Sequence, residues 1–262
     1  MSLTGKTLAS TYKSILRVND NTNGIDTVLE NITDGEGTGS SLTLSDDQLG
    51  ISPQNDDNTA VLKAADKDGN ALLIVDSTND VVKLGIGQHY ANTNIKEFAM
   101  SAAEENPVAA DTWYGLTSTF NQDDANQMAM GTGSTPATTL TISSTAALTI
   151  QHYWYVPFNI TIDSCNVWFG ADSPTGDVVK FSVMSYTVDS ANGSTGGDLS
   201  SGVENCVSPA TITGAGREQA YYQALTVSTA NVDAGKVIMA CVSQNGTNSD
   251  LTVNLQLVYH AR

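Results

Sequence analysis

Histidine and cysteine are the side chains that most often bind metals or act as nucleophiles and general bases. The chain has three of each, at His89, His152, His260, Cys165, Cys206 and Cys241. No two of them have the spacing of a Cys-x-x-Cys pair or of a paired-histidine metal site. We therefore expect no metal and no cofactor, three free buried thiols, and histidines that are structural or exposed.

Two short motifs are fragments of known ligand-binding loops. Gly5-Lys6-Thr7 ends like a phosphate-binding loop, but no strand with the required earlier glycine precedes it in this sequence. Residues 66–70 begin like a calcium loop, but Ser77 stands where that loop needs a bidentate Glu, so the pattern favours a hairpin turn. No Gly-x-Ser-x-Gly elbow is present. Carboxylate pairs for glycoside cleavage stay open because they need only a spatial separation, but we predict that the chain is not an enzyme.

An aromatic cluster is the strongest candidate for a binding site. Its members are Tyr153, Trp154, Tyr155, Trp168, Tyr221 and Tyr222. Adjacent residues on a strand face opposite sides, so either Tyr153 or Trp154 should point outward or into a partner. Tyr and Trp suit both subunit interfaces and contacts with sugars. Two interpretations therefore remain, a core-plus-subunit interface and a glycan contact.

The charge of the chain excludes several classes of partner. The formal net charge is −17, and the 11 basic residues form no patch. Nucleic acids and anionic membranes need clustered Lys and Arg, so neither is expected as a partner. The start of the chain lacks the apolar stretch of a signal peptide, and no apolar run approaches the about 18 residues that span a bilayer. We expect a soluble chain in a reducing cytoplasm, which fits free thiols.

The elements that would position the aromatic cluster are predicted strands of a β-sandwich. Hydrophobic and polar residues alternate over several segments after residue 138, for example from Leu251 onward. The predicted strands are Thr139–Ile142, Leu148–Tyr155, Ile160–Phe169, Val178–Val188, Ala220–Val227, Lys236–Gln244 and Leu251–His260. Period-two patterns separated by Gly, Asn, Ser and Asp turns are typical of a sandwich or jelly roll.

The N-terminal half has a different pattern, of short strands between turn clusters. Residues 21–100 contain little aromatic bulk, and their predicted strands are too short and too few to bury a core alone. Symmetric association of identical chains would supply the missing surface. Residues 1–20 are interpreted as an attachment segment, and residues 101–137 as a connector in which Trp113 and Phe120 dock on the fold.

One segment of this half resembles the shaft repeat of phage tail and head fibres. The segment is residues 68–80, which end in Val75-Asp76-Ser77-Thr78-Asn79-Asp80, followed by Val82-Lys83-Leu84-Gly85-Ile86-Gly87. It departs from that repeat in carrying Lys83-Leu84 before Gly-Ile-Gly, and only one clear copy is present. The resemblance therefore implies a short, trimeric stalk.

The C-terminal half is similar to the head domains of phage fibres. The similarity rests on the order of residues 156–162, 176–179 and 232–237 and on a closing apolar strand. Such head domains resemble the tumour-necrosis-factor-like jelly roll, which is usually trimeric. The resemblance implies that the closing 110 or so residues form a trimeric jelly-roll head.

Together these observations predict an all-β protein with four regions. They are an attachment segment (1–20), a short-strand trimerising stalk (21–100), a connector (101–137) and a jelly-roll-like β-sandwich head (138–262). The predicted function is a homotrimeric fibre subunit of a phage virion, assembled in the host cytoplasm. Residues 1–100 would dock on other virion proteins, and the sandwich would provide adhesion, with a host-surface glycan as one partner. The alternatives are a carbohydrate-binding module or a capsid decoration or cement protein, and, more remotely, a polysaccharide depolymerase.

Overall fold

The protein is all-β, as its sequence predicts. The computed structural model describes residues 15–20, 22–85, 89–100, 109–118, 128–142, 150–171, 178–191, 193–212, 219–245 and 251–262. The chain divides into two compact units, Met1–Asn92 and Thr93–Arg262. Every strand pair in both units is antiparallel.

The first unit contains two separate four-stranded sheets. The first has the order β1-β2-β3-β4, with strands Arg17–Val18, Glu30–Thr33, Gly39–Leu44 and Leu49–Ile51. The second has the order β5-β6-β7-β8, with strands Leu62–Ala65, Ala71–Asp76, Val81–Leu84 and His89–Tyr90. Each strand therefore pairs with the next one along the chain.

Aspartates stabilise the turns that join these short strands. Asp34 accepts hydrogen bonds from the backbone N–H groups of Glu36 and Thr38 between β2 and β3. Asp66 does the same for Asp68 and Asn70 between β5 and β6. Such bonds satisfy backbone donors that have no partner in the sheet, which explains the regular recurrence of Asp in the turn clusters.

The second unit is one curled eleven-stranded sheet. Its main path runs β10-β18-β13-β14-β16-β12-β19-β9, and the short strands β11, β15 and β17 pair with β18, β13 and β12. In chain order, β9 to β19 are Thr93–Met100, Thr112–Gly115, Tyr153–Tyr155, Ile160–Ala171, Val178–Val188, Leu199–Val207, Thr211–Ile212, Gln219–Val227, Asn231–Val232, Lys236–Gln244 and Leu251–Ala261.

The curl folds this sheet into two layers that share a hydrophobic core. We call β9, β19, β12 and β16 the front layer, and β10, β18, β13 and β14 the back layer. Phe169 of β12 and Phe181 of β13 meet across the core, with ring centroids 5.0 Å apart. Inward side chains of every second residue fill this core, including Val179 and Val183, which confirms the alternation predicted for β13.

The outer face of the back layer is covered by the chain itself. Residues 128–142, the covering segment, contribute Met128, Met130 and Ile142 to a second hydrophobic cluster with Tyr186 and Met239. The hydroxyl of Tyr186 donates to the backbone oxygen of Ala137 at 2.8 Å. The central strands β13 and β18 are consequently buried on both faces, whereas the outer face of the front layer is open.

Several predicted strand bounds agree with the structure, and others do not. The strands predicted from residue 160 onward are present within two residues of their predicted ends. In place of the predicted strand 139–142 the structure has a single bridge from Leu140 to Leu199. Of the predicted strand 148–155, residues 148 and 149 lie outside the described residues, residues 150–152 are helical and residues 153–155 are extended.

Two further differences concern elements that the pattern did not reveal. Strand β14 was not predicted, because two register shifts against β13 interrupt its alternation. Residues 93–100, grouped by sequence with the preceding short strands, pair with β19 and belong to the second unit. Trp113, by contrast, docks as predicted and is 3% exposed. Phe120 lies outside the described residues.

Candidate functional site

The six predicted contact residues divide between the two layers. Tyr153, Trp154 and Tyr155 form β11 beside β18 in the back layer. Tyr153 packs on the second cluster and Trp154 on the main core, so they point to opposite sides as predicted, but neither is exposed. Trp154 lies 4.8 Å from Tyr259, centroid to centroid. Only Tyr155 is open to solvent, at 56% exposure.

The other three contact residues lie on two adjacent strands of the front layer. Trp168 of β12 stands directly opposite Tyr222 of β16, and Phe169 stands opposite Tyr221. The pair Phe169 and Tyr221 faces the core, with stacked rings at 5.0 Å. The pair Trp168 and Tyr222 faces outward, and its members are 55% and 54% exposed.

The outward pair has a fixed geometry. The ring centroids of Trp168 and Tyr222 are 4.8 Å apart, and the ring planes are inclined at 49°. The Tyr222 hydroxyl donates a hydrogen bond to Oδ1 of Asn166 at 2.9 Å, which holds the phenol ring against the sheet. The structure therefore assembles a preorganised aromatic surface, which we call the aromatic pair.

The three cysteines are buried thiols away from any open surface. All three are free and buried, which confirms the prediction. The neighbouring Cys206 thiol and burial raise the pKa of Cys165, and burial raises the pKa of Cys241. Because the thiolate is the reactive form, neither of these two thiols is a nucleophile at neutral pH.

Two of the three histidines are buried. His152 is fully buried. His260 is 6% exposed, and its Nδ1 lies 2.9 Å from the carboxylate of Asp163 on the neighbouring strand. His89 lies in the short strand β8. Among the described residues, no group of three or more His, Cys, Asp or Glu side chains could hold a metal ion.

The two loop-like motifs have simple outcomes. Residues 66–70 form the predicted hairpin turn, in which the N–H of Gly69 donates to the oxygen of Asp66. Hydrogen bonds from Asn70 hold the pKa of Asp66 below its ordinary value. The Asp66 carboxylate therefore stabilises the turn by accepting from the backbone and the side chain of Asn70. The segment Gly5-Lys6-Thr7 lies outside the described residues.

A cleft that the sequence did not reveal lies at the edge of the front layer. It has a volume of about 380 Å³ and is lined by residues that include Ile95, Lys96, Thr117 and Ser118. The Lys96 ammonium donates to the backbone oxygen of Ser118 at 3.1 Å, and burial lowers the pKa of Lys96. Glu97, the acidic group of this cleft, is engaged by the amide of Gln256. The cleft therefore presents no free acid–base pair.

A second candidate surface is aliphatic and belongs to the first unit. Leu73 stands between Ala64 and Leu84 across the second sheet, and Val75 stands between Leu62 and Val82. These six residues, Leu62, Ala64, Leu73, Val75, Val82 and Leu84, share one face of the sheet, and none of them is buried. We call them the aliphatic face. Short hydrophobic strands signal such a face in the sequence, but cross-strand register is needed to assemble it.

No protein-family model matches this chain, and none of the curated proteins compared with it is similar in sequence. In the part of the chain that the structure describes, no helix is long and apolar enough to cross a membrane.

Proposed function

We propose that this protein is a non-catalytic, homotrimeric structural subunit of a tailed-phage particle. Its first unit holds the trimer together and docks on other virion proteins, and its second unit projects as an adhesive head. One observation carries the proposal: the described residues of the first unit form no apolar core of their own.

The lack of a core is visible in the burial of individual side chains. Among the described residues of the first unit, no hydrophobic side chain is buried; the buried ones are Thr33, Gly35, Ser45 and Asp76. Large hydrophobics are instead exposed, including Leu49 at 63% and Leu72 and Leu84 at 46% each. Monomeric proteins seldom expose apolar surface in contiguous patches, because burying it is the main driving force of folding.

The exposed side chains are organised in a way that favours self-association. The aliphatic face spans three adjacent strands without a charged residue on it. In the first sheet, Leu42 and Ile51 stand opposite each other on one face with Leu44 and Leu49. A sheet with one apolar face must cover that face, and three identical sheets about one axis would cover each other.

The strand order of the second unit supports a head of the jelly-roll type. The front layer has the order β9-β19-β12-β16 and the back layer β10-β18-β13-β14. From β9 to β13 the chain crosses three times between the layers, and the late strands β18 and β19 each lie between two earlier strands. This is the connectivity expected of a double-sheet jelly roll. We infer this architecture from the order of the main path.

The link to a phage particle rests on the resemblance of residues 68–87 to fibre shaft repeats. Residues 76–79 of that segment form a tight turn in which Asp76 accepts hydrogen bonds from the backbone N–H and the side-chain amide of Asn79. Residues 86–88 lie outside the described part of the chain. The short strands on each side of the turn supply four of the six residues of the aliphatic face, so the segment of resemblance and the exposed apolar surface largely coincide.

The proposal is tested by the mass of the full chain in solution. We expect sedimentation equilibrium to give three times the chain mass of 27.5 kDa. Leu84→Asn, on the aliphatic face, should shift the population to monomer because it places an amide in the shared core. Leu72→Asn is the matched control, since Leu72 is equally exposed on the same sheet but is not one of the cross-strand partners that form the aliphatic face.

A monomeric full chain at micromolar concentration contradicts the trimer. Equal dissociation by both Asn variants shows that the aliphatic face is not the contact. Cryo-electron microscopy of the particle that carries the chain tests its place in the virion, where threefold density at the first unit is expected.

A further inference from the structure

We infer that the outer face of the front layer binds a neutral glycan, with Trp168 and Tyr222 as its stacking surface. The inference rests on the adhesive role proposed above and names the chemistry of the ligand. The starting observation is the contrast between the two layers. The chain covers the outer face of the back layer with residues 128–142 but leaves the aromatic pair open on the front layer.

Trp168 stands at the centre of an uncharged patch. Its direct neighbours on the outer face are Tyr222 and Asn254 across the strands and Asn166 and Gly170 along its own strand. The diagonal neighbours are Ala220, Ala224, Thr252 and Gln256. The two rings therefore rise above small side chains and are flanked by amides and a hydroxyl.

This combination fits the two sides of a sugar ring. A pyranose presents a face of weakly positive C–H groups, which is complementary to the negative face of an aromatic ring. Its hydroxyls need donors and acceptors at the rim, and the side-chain amide of Asn254 provides both. The hydrogen bond from Tyr222 to Asn166 fixes one ring in advance, which lowers the entropic cost of binding.

The charge of the protein selects a neutral sugar over an acidic one. The chain carries a net charge of −17, and the positions that surround Trp168 contain no cation. An acidic polysaccharide would meet repulsion with no compensating ion pair. A second copy of the chain is a poorer occupant of this patch, because an obligate subunit contact needs an extended apolar surface. Among the positions that surround Trp168, the large apolar side chains are the two rings, whereas the first unit has an extended aliphatic face.

Affinity electrophoresis of the full chain tests the inference. Native gels cast with dextran, mannan, galactomannan or laminarin serve as the neutral probes, and alginate serves as the acidic one. We expect at least one neutral polysaccharide to retard the protein and alginate to leave its mobility unchanged. The readout is sugar binding and not subunit mass, so failure here is distinct from failure of the trimer proposal.

Variants assign the binding to the aromatic pair. Trp168→Ala should weaken the retardation, with a rise of about tenfold or more in the apparent Kd. This is the effect expected from truncating a central aromatic contact. Trp168→Tyr, which keeps a ring, should retain most of the binding. Tyr155→Ala is the matched control, because Tyr155 is as exposed as Trp168 but lies on the other layer. Thermal unfolding followed by circular dichroism verifies that each variant is folded.

Four binding results would overturn the inference. They are no retardation by any neutral polysaccharide, equal retardation by alginate, unchanged binding by folded Trp168→Ala, and loss of binding by Tyr155→Ala. A change of subunit mass in Trp168→Ala would also overturn it, because the patch would then be a contact between copies.

Discussion

Ala99 and Thr117 exchange both of their backbone hydrogen bonds, each with an N···O distance of 2.9 Å. Ala99 lies in β9, the outermost strand of the front layer, and Thr117 follows β10, the outermost strand of the back layer. This single bridge joins the two ends of the curled sheet. It protects edge strands that would otherwise offer unpaired backbone groups to other chains.

The Thr117 hydroxyl strengthens this closure and can be removed alone. It donates to the backbone oxygen of Ala99 at 3.0 Å, and Thr117 is 2% exposed. Thr117→Val should lower the free energy of unfolding by about 0.5–1.5 kcal/mol, the usual net value of one hydrogen bond. Urea unfolding followed by tryptophan fluorescence measures it, because Trp113, Trp154 and Trp168 all belong to the second unit. Thr252→Val, on the exposed face of β19, is the control, and an equal loss there would refute the role of the bridge.

The covering segment passes close to the back layer at Gly202. A Cβ atom at this position would lie 2.6 Å from Cε1 of Tyr186 and 2.8 Å from Cα of Thr138. Gly202→Ala should therefore cost about 1–3 kcal/mol of stability through overpacking. The same urea titration applies. Gly193→Ala, where a Cβ meets nothing within 4 Å, should be nearly neutral. An unchanged free energy of unfolding in Gly202→Ala would mean that the covering segment is not held against the back layer.

Gln244 carries a buried amide that costs stability. The residue is 1% exposed, and neither polar atom of its side chain has a hydrogen-bond partner among the described residues. Gln244→Met keeps a similar shape and removes the unsatisfied groups, so it should raise the free energy of unfolding by about 1–3 kcal/mol. Gln256→Met, where the amide is bonded to Glu97 on the outer face, should bring no gain. A destabilised Gln244→Met would show that the amide has a partner in solution.

Asp76 should make the first unit sensitive to acid. Hydrogen bonds from Asn79 and Lys83 hold the pKa of this buried carboxylate below its ordinary value. Its contribution is thus fully present above the unfolded pKa of about 3.9 and is lost as the pH falls through the lower folded value. At pH values below about 4, the hydrogen-exchange protection of the amides in β6 and β7 should therefore decrease.

The variant Asp76→Asn separates this effect from general acid unfolding. Its protection should be lower than that of the parent at pH 7 and should change less between pH 7 and pH 3. Asp68→Asn is the control, since Asp68 is an exposed turn residue paired with Lys67. If Asp76→Asn keeps the full acid response, other carboxylates set the stability of this unit.

Much of the fold could be predicted from local patterns. The bounds of β13 and β18 follow from runs of apolar residues that the turns interrupt cleanly. Strand β14 could not be predicted because Gly202 and two register shifts interrupt its alternation. The candidate site was only half predictable. Alternation required Trp168 and Phe169 to face opposite sides, but which one entered the core depended on the rest of the fold.

The sequence by itself determined an all-β chain with short N-terminal strands, buried free thiols and a net charge of −17, because composition and period-two alternation act locally. Tertiary structure alone decided that Trp168 meets Tyr222 on an open face while Trp154 packs inward. The reason is that cross-strand register and layer order are set by the burial of the whole core, and a shift of one residue would reverse the face of every side chain.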